Sequence, residues 1–443
     1  MQIYRPNEAK IGPDIPRRLF SSRKGKAVTK LKQSLVIAGI VSMPLAAMAD
    51  GAAPAPAAPT LSDVLTASGV TLTGYIDAGY TNMDSTGLFT NGGATRVFDA
   101  PNASAGKNFS SFNLNQVGVT IAKAPPSGFG GLVNFTGGQD ANVIASYGAG
   151  NNVAGNGGNM YNNNHNFDIT QAYGSYATGP LTAILGKFAT LAGAEVIPSM
   201  SDTNYSRSIL FGYAIPFTHT GVRLTYAASD TLSLIGGVNN GWDQVSDQNG
   251  DKTLELGFTA APSKMFAFTG AYYGGKELAV PGGLAGPNPY SAAAVPALSQ
   301  VSNGNRQLID LVGTFNATDS LSFVLNYDNG SQENAPMPTG TLGTAKWDGL
   351  AFYANYAFSD QWRVSYRTEY LNDKAGFRTG TGVPVRWSEN TLTLAYMPAK
   401  SFEFRGEVRG DHTNNALGAG FLQDSGTSKS NETSFGLEAI YKF

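Results

Sequence analysis

The last ten residues constrain this chain more than any other segment. Phe435, Leu437, Ala439, Tyr441 and Phe443 alternate with Ser434, Gly436, Glu438, Ile440 and Lys442. Only an extended strand uses that period, because successive side chains of a strand point to opposite faces. One face is apolar and aromatic-tipped, the other mostly polar. Residues 402–411 divide more sharply: Phe402, Phe404, Gly406, Val408 and Gly410 share one face, and Glu403, Arg405, Glu407, Arg409 and Asp411 the other.

The pattern repeats along the chain. Short turn segments at 124–127, 178–180, 228–230, 262–264, 317–319, 359–361 and 398–400 are each flanked by alternating runs, which predicts seven hairpins. The connections between hairpins are longer and rich in Asn, Gly, Ser and Pro. Counting gives sixteen strands: 70–81, 109–123, 130–137, 167–176, 181–188, 219–227, 231–238, 252–261, 265–273, 306–316, 321–328, 347–358, 362–370, 389–397, 401–411 and 432–443. Short turns at one end, long loops at the other and an even strand number are the signature of a transmembrane antiparallel β-barrel with short periplasmic turns and long extracellular loops. Aromatics near strand ends (Phe266, Tyr356, Phe358, Trp362, Tyr396) read as interface girdles. A soluble barrel or sandwich would put the apolar face inside instead.

Composition narrows the rest. Charged residues make up 14% and Gly numbers 54, which is charge-poor and Gly-rich for a soluble domain. There is no Cys, so neither a disulfide framework nor a Cys-ligated metal site is available. Residues 1–49 carry nine basic and two acidic residues, then the apolar run from Leu35 to Ala47 and the small-x-small site Ala47-Met48-Ala49, and so read as a signal peptide with a long n-region. Its removal leaves an acidic chain whose surface does not seek nucleic acid. Residues 50–69 form a Pro/Ala-rich periplasmic linker in which Thr60 or Ser62 caps one helical turn. Residues 70–443 are the barrel.

The block from 186 to 243 is more specific than alternation. Gly186-Lys187-Phe188-Ala189-Thr190-Leu191 and Gly193-Ala194-Glu195-Val196-Ile197 are followed by Asn204-Tyr205-Ser206-Arg207-Ser208, Ile215-Pro216-Phe217-Thr218-His219-Thr220-Gly221-Val222-Arg223 and Gly237-Val238-Asn239-Asn240-Gly241-Trp242-Asp243. The chain resembles the OmpL-like β-barrel porins of Gram-negative outer membranes from about Leu72 to Phe443. The resemblance implies an outer-membrane barrel and supplies no substrate. The ending Tyr441-Lys442-Phe443 also resembles the signal read by the outer-membrane assembly machinery.

On this reading the chain is a porin that passes small hydrophilic solutes or ions by passive diffusion, without catalytic residues, cofactor or metal. The inward faces place Arg223, Glu255, Arg363, Arg367, Glu369, Glu403, Arg405, Glu407 and Arg409 along the pore, with acids and bases nearly balanced. Glu403, Arg405, Glu407 and Arg409 are spaced to pair with one another. The long connection 189–218, with Glu195, Asp202 and Arg207, corresponds by position to the connection that narrows general porins, and Leu191, Val196, Ile197, Ile209, Leu210 and Phe211 give it an apolar surface for the inner wall. Asp247, Asn249 and Asp251 have the oxygen spacing of a calcium loop but lack its helices and final Glu, and read as a turn. Analogy with sixteen-stranded porins implies a homotrimer. Two alternatives fit a barrel: an outer-membrane enzyme, whose activity would be lost on changing His165, His219 or His412, and a closed adhesin or structural barrel, which would not conduct.

Overall fold

The computed structural model describes residues 60–90, 95–98, 106–145, 166–247, 249–279 and 303–443. The expected signal peptide, most of the linker and His165 lie outside them.

Sixteen antiparallel strands close into one barrel. They are β1 (Thr71–Met83), β2 (Ser110–Lys123), β3 (Gly128–Gly137), β4 (Phe167–Thr178), β5 (Leu181–Ala189), β6 (Thr218–Ser229), β7 (Leu232–Asn239), β8 (Thr253–Ala260), β9 (Phe266–Leu278), β10 (Asn303–Asn316), β11 (Leu321–Pro336), β12 (Leu342–Ser359), β13 (Trp362–Asp373), β14 (Val385–Ala399), β15 (Phe402–Thr413) and β18 (Asn431–Lys442). Each pairs with its neighbour in sequence. Between β15 and β18 lies a small separate hairpin, β16 (Phe421–Leu422) with β17 (Ser428–Lys429).

The seam joins β1 to β18, with Ala78 opposite Ala439. Phe443 completes it: its amide donates to the Gly74 carbonyl at 2.8 Å and its carbonyl accepts the Gly74 amide at 2.9 Å. A Cβ on Gly74 would stand 2.4 Å from the Phe443 ring, so a larger residue there would make that ring shift from its place at the seam.

The outer face is the apolar one. Val222, Leu224, Leu254, Leu256, Leu392, Leu394, Phe435 and Leu437 are exposed on it. At the short-turn end aromatic rings run from strand to strand: Phe266 meets Phe315 (centroids 5.1 Å apart), Phe315 meets Phe323 (6.2 Å), Trp362 meets Tyr396 (4.5 Å) and Phe402 meets Tyr441 (4.7 Å). Such a belt suits rings with one side in lipid and one at the headgroups.

Three sequence expectations are corrected. Strands run further toward the long-loop end than composition suggested. Residues 329–346, read as a loop, continue as the paired ends of β11 and β12 past a bulge between Gln332 and Ala335 and turn at Met337–Thr341, with Gly340 at φ +77°. Polar residues there did not stop the ladder, since backbone pairing needs no apolar side chain. The single helical turn near Thr60 is an eight-residue helix, α1 (Leu61–Ser68). The connection after β3 contains a short helix, α2 (Asp140–Ile144).

Candidate functional site

The segment 190–217 lies inside the barrel. It leaves β5, crosses the lumen and returns to β6, touching the wall on both passes. On the way out Leu191 packs beside Tyr273 of β9, whose hydroxyl accepts the Leu191 amide at 2.9 Å, and the Ala194 amide donates to Asn326 of β11 at 3.1 Å. On the return a π-helical turn over Leu210–Ala214 meets β12, where the Trp347 indole donates to the Ala214 carbonyl at 3.1 Å. Leu191, Ile197, Ile209, Leu210 and Phe211 are all buried.

Charged wall residues hold this segment by its backbone. Glu407 accepts the amides of Tyr205 (2.8 Å) and Ser206 (3.0 Å), and Glu369 those of Ile209 (2.5 Å) and Leu210 (3.0 Å). Arg405 donates to the carbonyls of Asp202 (2.7 Å) and Asn204 (3.0 Å), Arg367 to that of Ser206 (2.6 Å), and Arg409 to that of Arg207 (2.7 Å). Charge-assisted bonds of this kind are about twice as strong as neutral ones, and they satisfy the polar backbone of a segment with no ladder of its own.

Glu195 joins segment to wall. Arg367 donates to one of its oxygens at 2.7 Å, and the Ser208 amide to the other at 2.8 Å. Arg207 pairs with Asp202 and donates to the carbonyls of Val196 and Ile197, both at 2.7 Å. The segment is thus cross-braced between its two passes.

The pairing expected among Glu403, Arg405, Glu407 and Arg409 holds only in part. Arg405 meets Glu403 at 2.8 Å and Glu438 at 2.9 Å, while Arg409 pairs with Asp411 at 2.7 Å. Glu407 takes loop amides and the Thr393 hydroxyl (2.7 Å) instead, because the folded-in segment offers donors that no strand pattern could reveal. Arg367 is fully buried between Glu195 and Glu389. Arg363 pairs with Glu403 at 2.7 Å, and Arg223 with Glu255 at 2.7 Å. The side chains of Arg223 (11%), Arg363 (19%) and Lys442 (31%) keep some exposure, whereas Glu255 and Glu403 are nearly dry.

The near balance of acids and bases also changes. Asp140, Asp168, Glu277, Asp310, Asp373, Glu389 and Glu432 are buried inside as well, against Arg96, Lys187, Arg306 and Arg378. Carboxylates therefore outnumber bases within the barrel.

Several interior groups carried no sequence signal of their role. Asp243, at φ +55°, accepts the amides of Phe217 (2.7 Å) and Thr218 (2.9 Å) and so fixes the segment's return to β6. Burial pushes its carboxyl up to about 6, the two amides and Arg378 offsetting part of that. Arg378 donates to the Tyr213 carbonyl at 2.6 Å, and burial, then the charge of Arg306, bring it down to about 9. Gly79 and Gly436, on adjacent strands, form a slot for Tyr205, since a Cβ on either would lie within 2.6 Å of its ring or hydroxyl. The Tyr205 hydroxyl bonds Thr81 at 2.7 Å. His219 is buried with its ring stacked on Tyr273 (4.5 Å), and His412 bonds Asn431 at 2.8 Å. Asp247 accepts the amides of Asn249 and Gly250, which is a side-chain-capped turn.

Toward the long-loop end the interior is filled. Phe89, Phe98, Val143, Ile144, Phe211, Phe217, Trp242, Phe377 and Phe421, from the connections, form one buried cluster with Tyr273, Leu308, Trp347 and Trp387 of the wall. Toward the short-turn end, inward Thr225, Ser233, Thr259, Thr314, Ser322 and Asn355 are half-buried and form a polar vestibule.

The sequence profile described as "Putative beta-barrel porin-2, OmpL-like" matches residues 69–443. The chain belongs to the OmpL-like β-barrel porins. Its relation to solved structures is one of fold: OmpT of Vibrio cholerae superposes with a TM-score of 0.54 at 12% identity, covering 84% of this porin and 97% of OmpT. The outer membrane channel DcaP of Acinetobacter baumannii gives 0.53 at 12% identity, with 84% and 97% covered. An anion-selective porin from Comamonas acidovorans gives 0.51 at 12% identity, with 84% and 99% covered. No protein with a curated description matches the sequence. The porin sits in the outer membrane and crosses it with strands; among the described residues no helix is long and apolar enough to span.

Proposed function

We propose that this porin passes small hydrophilic solutes or ions by passive diffusion, with no chemical step, and that segment 190–217 sets the narrowest cross-section. The observation that carries this reading is the fixing of that segment across the lumen by Glu369, Glu407, Arg367, Arg405 and Arg409. Solutes entering from the vestibule meet Arg223, Arg363 and Lys442 first, and the filled interior beyond it favours small permeants. Charged rings and constrictions are the means by which pores select.

Residues 1–49 act as the export signal, and Phe443 as the cue for the assembly machinery. A homotrimer is the expected assembly; a trimer form is described for OmpT of Vibrio cholerae. The test is reconstitution of the folded protein in a planar bilayer. Discrete steps of small unit conductance are expected, and well-folded protein that gives no steps would sink the proposal. Reversal potential in a salt gradient then reports charge preference.

A further inference from the structure

We propose that the outer wall of β12–β15 carries a binding site for a phosphorylated glycolipid of the outer leaflet. The inference rests on the barrel's place in the outer membrane and not on which solute it passes.

The outer wall there is not uniformly apolar. Along β14 the outward residues are Tyr396, Leu394 and Leu392, then Asn390, Ser388 and Arg386 toward the long-loop end. An apolar band of ~25 Å, at a rise of ~3.3 Å per residue and a tilt near 40°, takes about ten residues of strand. Counted from Tyr396, that band runs up to Arg386, so Asn390 and Ser388 fall within the depth that lipid occupies. Polar side chains at that depth call for a polar partner.

A groove of about 540 Å³ opens at this place, lined by Phe352, Thr368, Tyr370, Arg386, Asn390 and His412, and by Glu369 and Glu389, whose carboxylates turn inward to the Ile209 amide and to Arg367. Gly410, cross-strand from Asn390, deepens it, for a Cβ there would meet nothing within 4 Å. The Tyr366 hydroxyl donates to the Asn390 side-chain Oδ1 at 2.7 Å and leaves the side-chain amide hydrogens for a ligand. Arg386 stacks over Tyr370 at 4.8 Å and, among the described residues, has no carboxylate within ion-pair distance. Register places Lys346 and Asp348 of β12 at the same end as Arg386, and Lys374 meets Asp348 at 2.8 Å.

The rim is therefore cationic, the middle offers neutral hydrogen-bonding groups, and Leu350 and Phe352 give an apolar floor. That order matches a phosphate, then sugar hydroxyls, then acyl chain, read from the long-loop end toward the membrane centre. Arginine suits the phosphate because its planar fork engages two oxygens at once.

The test is native mass spectrometry of the full folded barrel in detergent, with diphosphoryl lipid A, its dephosphorylated form and phosphatidylglycerol as probes. Retention of diphosphoryl lipid A is expected, with about tenfold weaker retention of the dephosphorylated form. Arg386→Gln combined with Lys346→Gln should weaken the phosphorylated probe by about tenfold and leave the dephosphorylated one unchanged. Asn390→Leu should weaken both glycolipids and spare phosphatidylglycerol. Heat-modifiable migration on gels confirms that each variant is closed. Equal retention by wild type and variants would overturn the proposal, as would phosphatidylglycerol binding as well as lipid A. Disulfide formation between protomers through Asn390→Cys would assign the groove to a second copy of the chain instead.

Discussion

Arg363 and Arg367 lie on the same face of β13, two alternations apart, yet their surroundings separate their roles. Arg363 keeps partial exposure toward the vestibule, while Arg367 is enclosed by Glu195, Glu389 and the Ser206 carbonyl. Arg363→Ser should shift the reversal potential toward cations with unit conductance nearly unchanged. Arg367→Ser should free one end of segment 190–217, cost about 3–5 kcal/mol as unpaired carboxylates remain buried, and enlarge the conductance with added noise. The same effect from both variants would mean that neither assignment holds. Asp328 offers a second test. It faces Asp310 directly across β10 and β11, is fully buried, and neither of its oxygens has a donor among the described residues. Two carboxyl groups opposed in this way repel each other unless they share a proton. Asp328→Asn supplies a donor to the bare Asp310 Oδ1 and should raise the urea midpoint by the equivalent of about 1–2 kcal/mol. A lowered midpoint would show that the acid has a partner it needs. Inward direction was legible in the sequence for Arg363 and Arg367, because period two is a local property. Which partner each would find was not, since Glu195 and Arg367 meet across 172 positions.

At the scale of elements, the inner segment and its receiving wall were built for each other. The sequence showed a long connection with an apolar stripe; it did not show that Gly79 and Gly436 leave a slot for Tyr205, or that Gly349 leaves room for Leu210. Glycine in a strand reads as curvature or a close approach alike. Gly436→Ala should therefore displace Tyr205, break its bond to Thr81 and cost about 1–3 kcal/mol by overpacking. Single-channel noise would rise with it; an unchanged trace would place the Tyr205 slot outside the narrow zone. The segment's other end depends on Asp243. Its folded carboxyl lies near 6 against 3.8 for an exposed aspartate, so between those values the folded state holds more protons than the unfolded one. Stability then falls as pH rises through that window. Asp243→Asn keeps an acceptor for the Phe217 and Thr218 amides and tolerates positive φ, so its urea midpoint should decline less steeply from pH 4 to 7 than that of the wild type. Parallel curves would assign the pH dependence elsewhere.

For the whole molecule, two constructions with different sources share one space. The barrel follows from alternation, short turns and backbone pairing, and its sixteen strands were readable in number and order, though neither their long-loop ends nor the Phe443–Gly74 closure were. The interior follows from contacts between distant connections, which carry no period; the cluster of Phe89, Phe211, Trp242, Phe377 and Phe421 looks like scattered loop aromatics until the barrel brings them together. The two should therefore be separable. Replacing residues 196–208 by a short Gly/Ser link removes the amides that Glu407 accepts and the Arg207–Asp202 brace, but touches no strand pairing. The barrel should still close, seen as heat-modifiable migration, since its ladder is complete without the segment. Its unit conductance should rise severalfold. With carboxylates in excess inside, and Glu407 stripped of its amides, the shortened porin should also prefer cations more strongly than the wild type. An unchanged conductance would shift the constriction to the aromatic cluster of the other connections, and a barrel that fails to close would show that wall and segment fold as one unit.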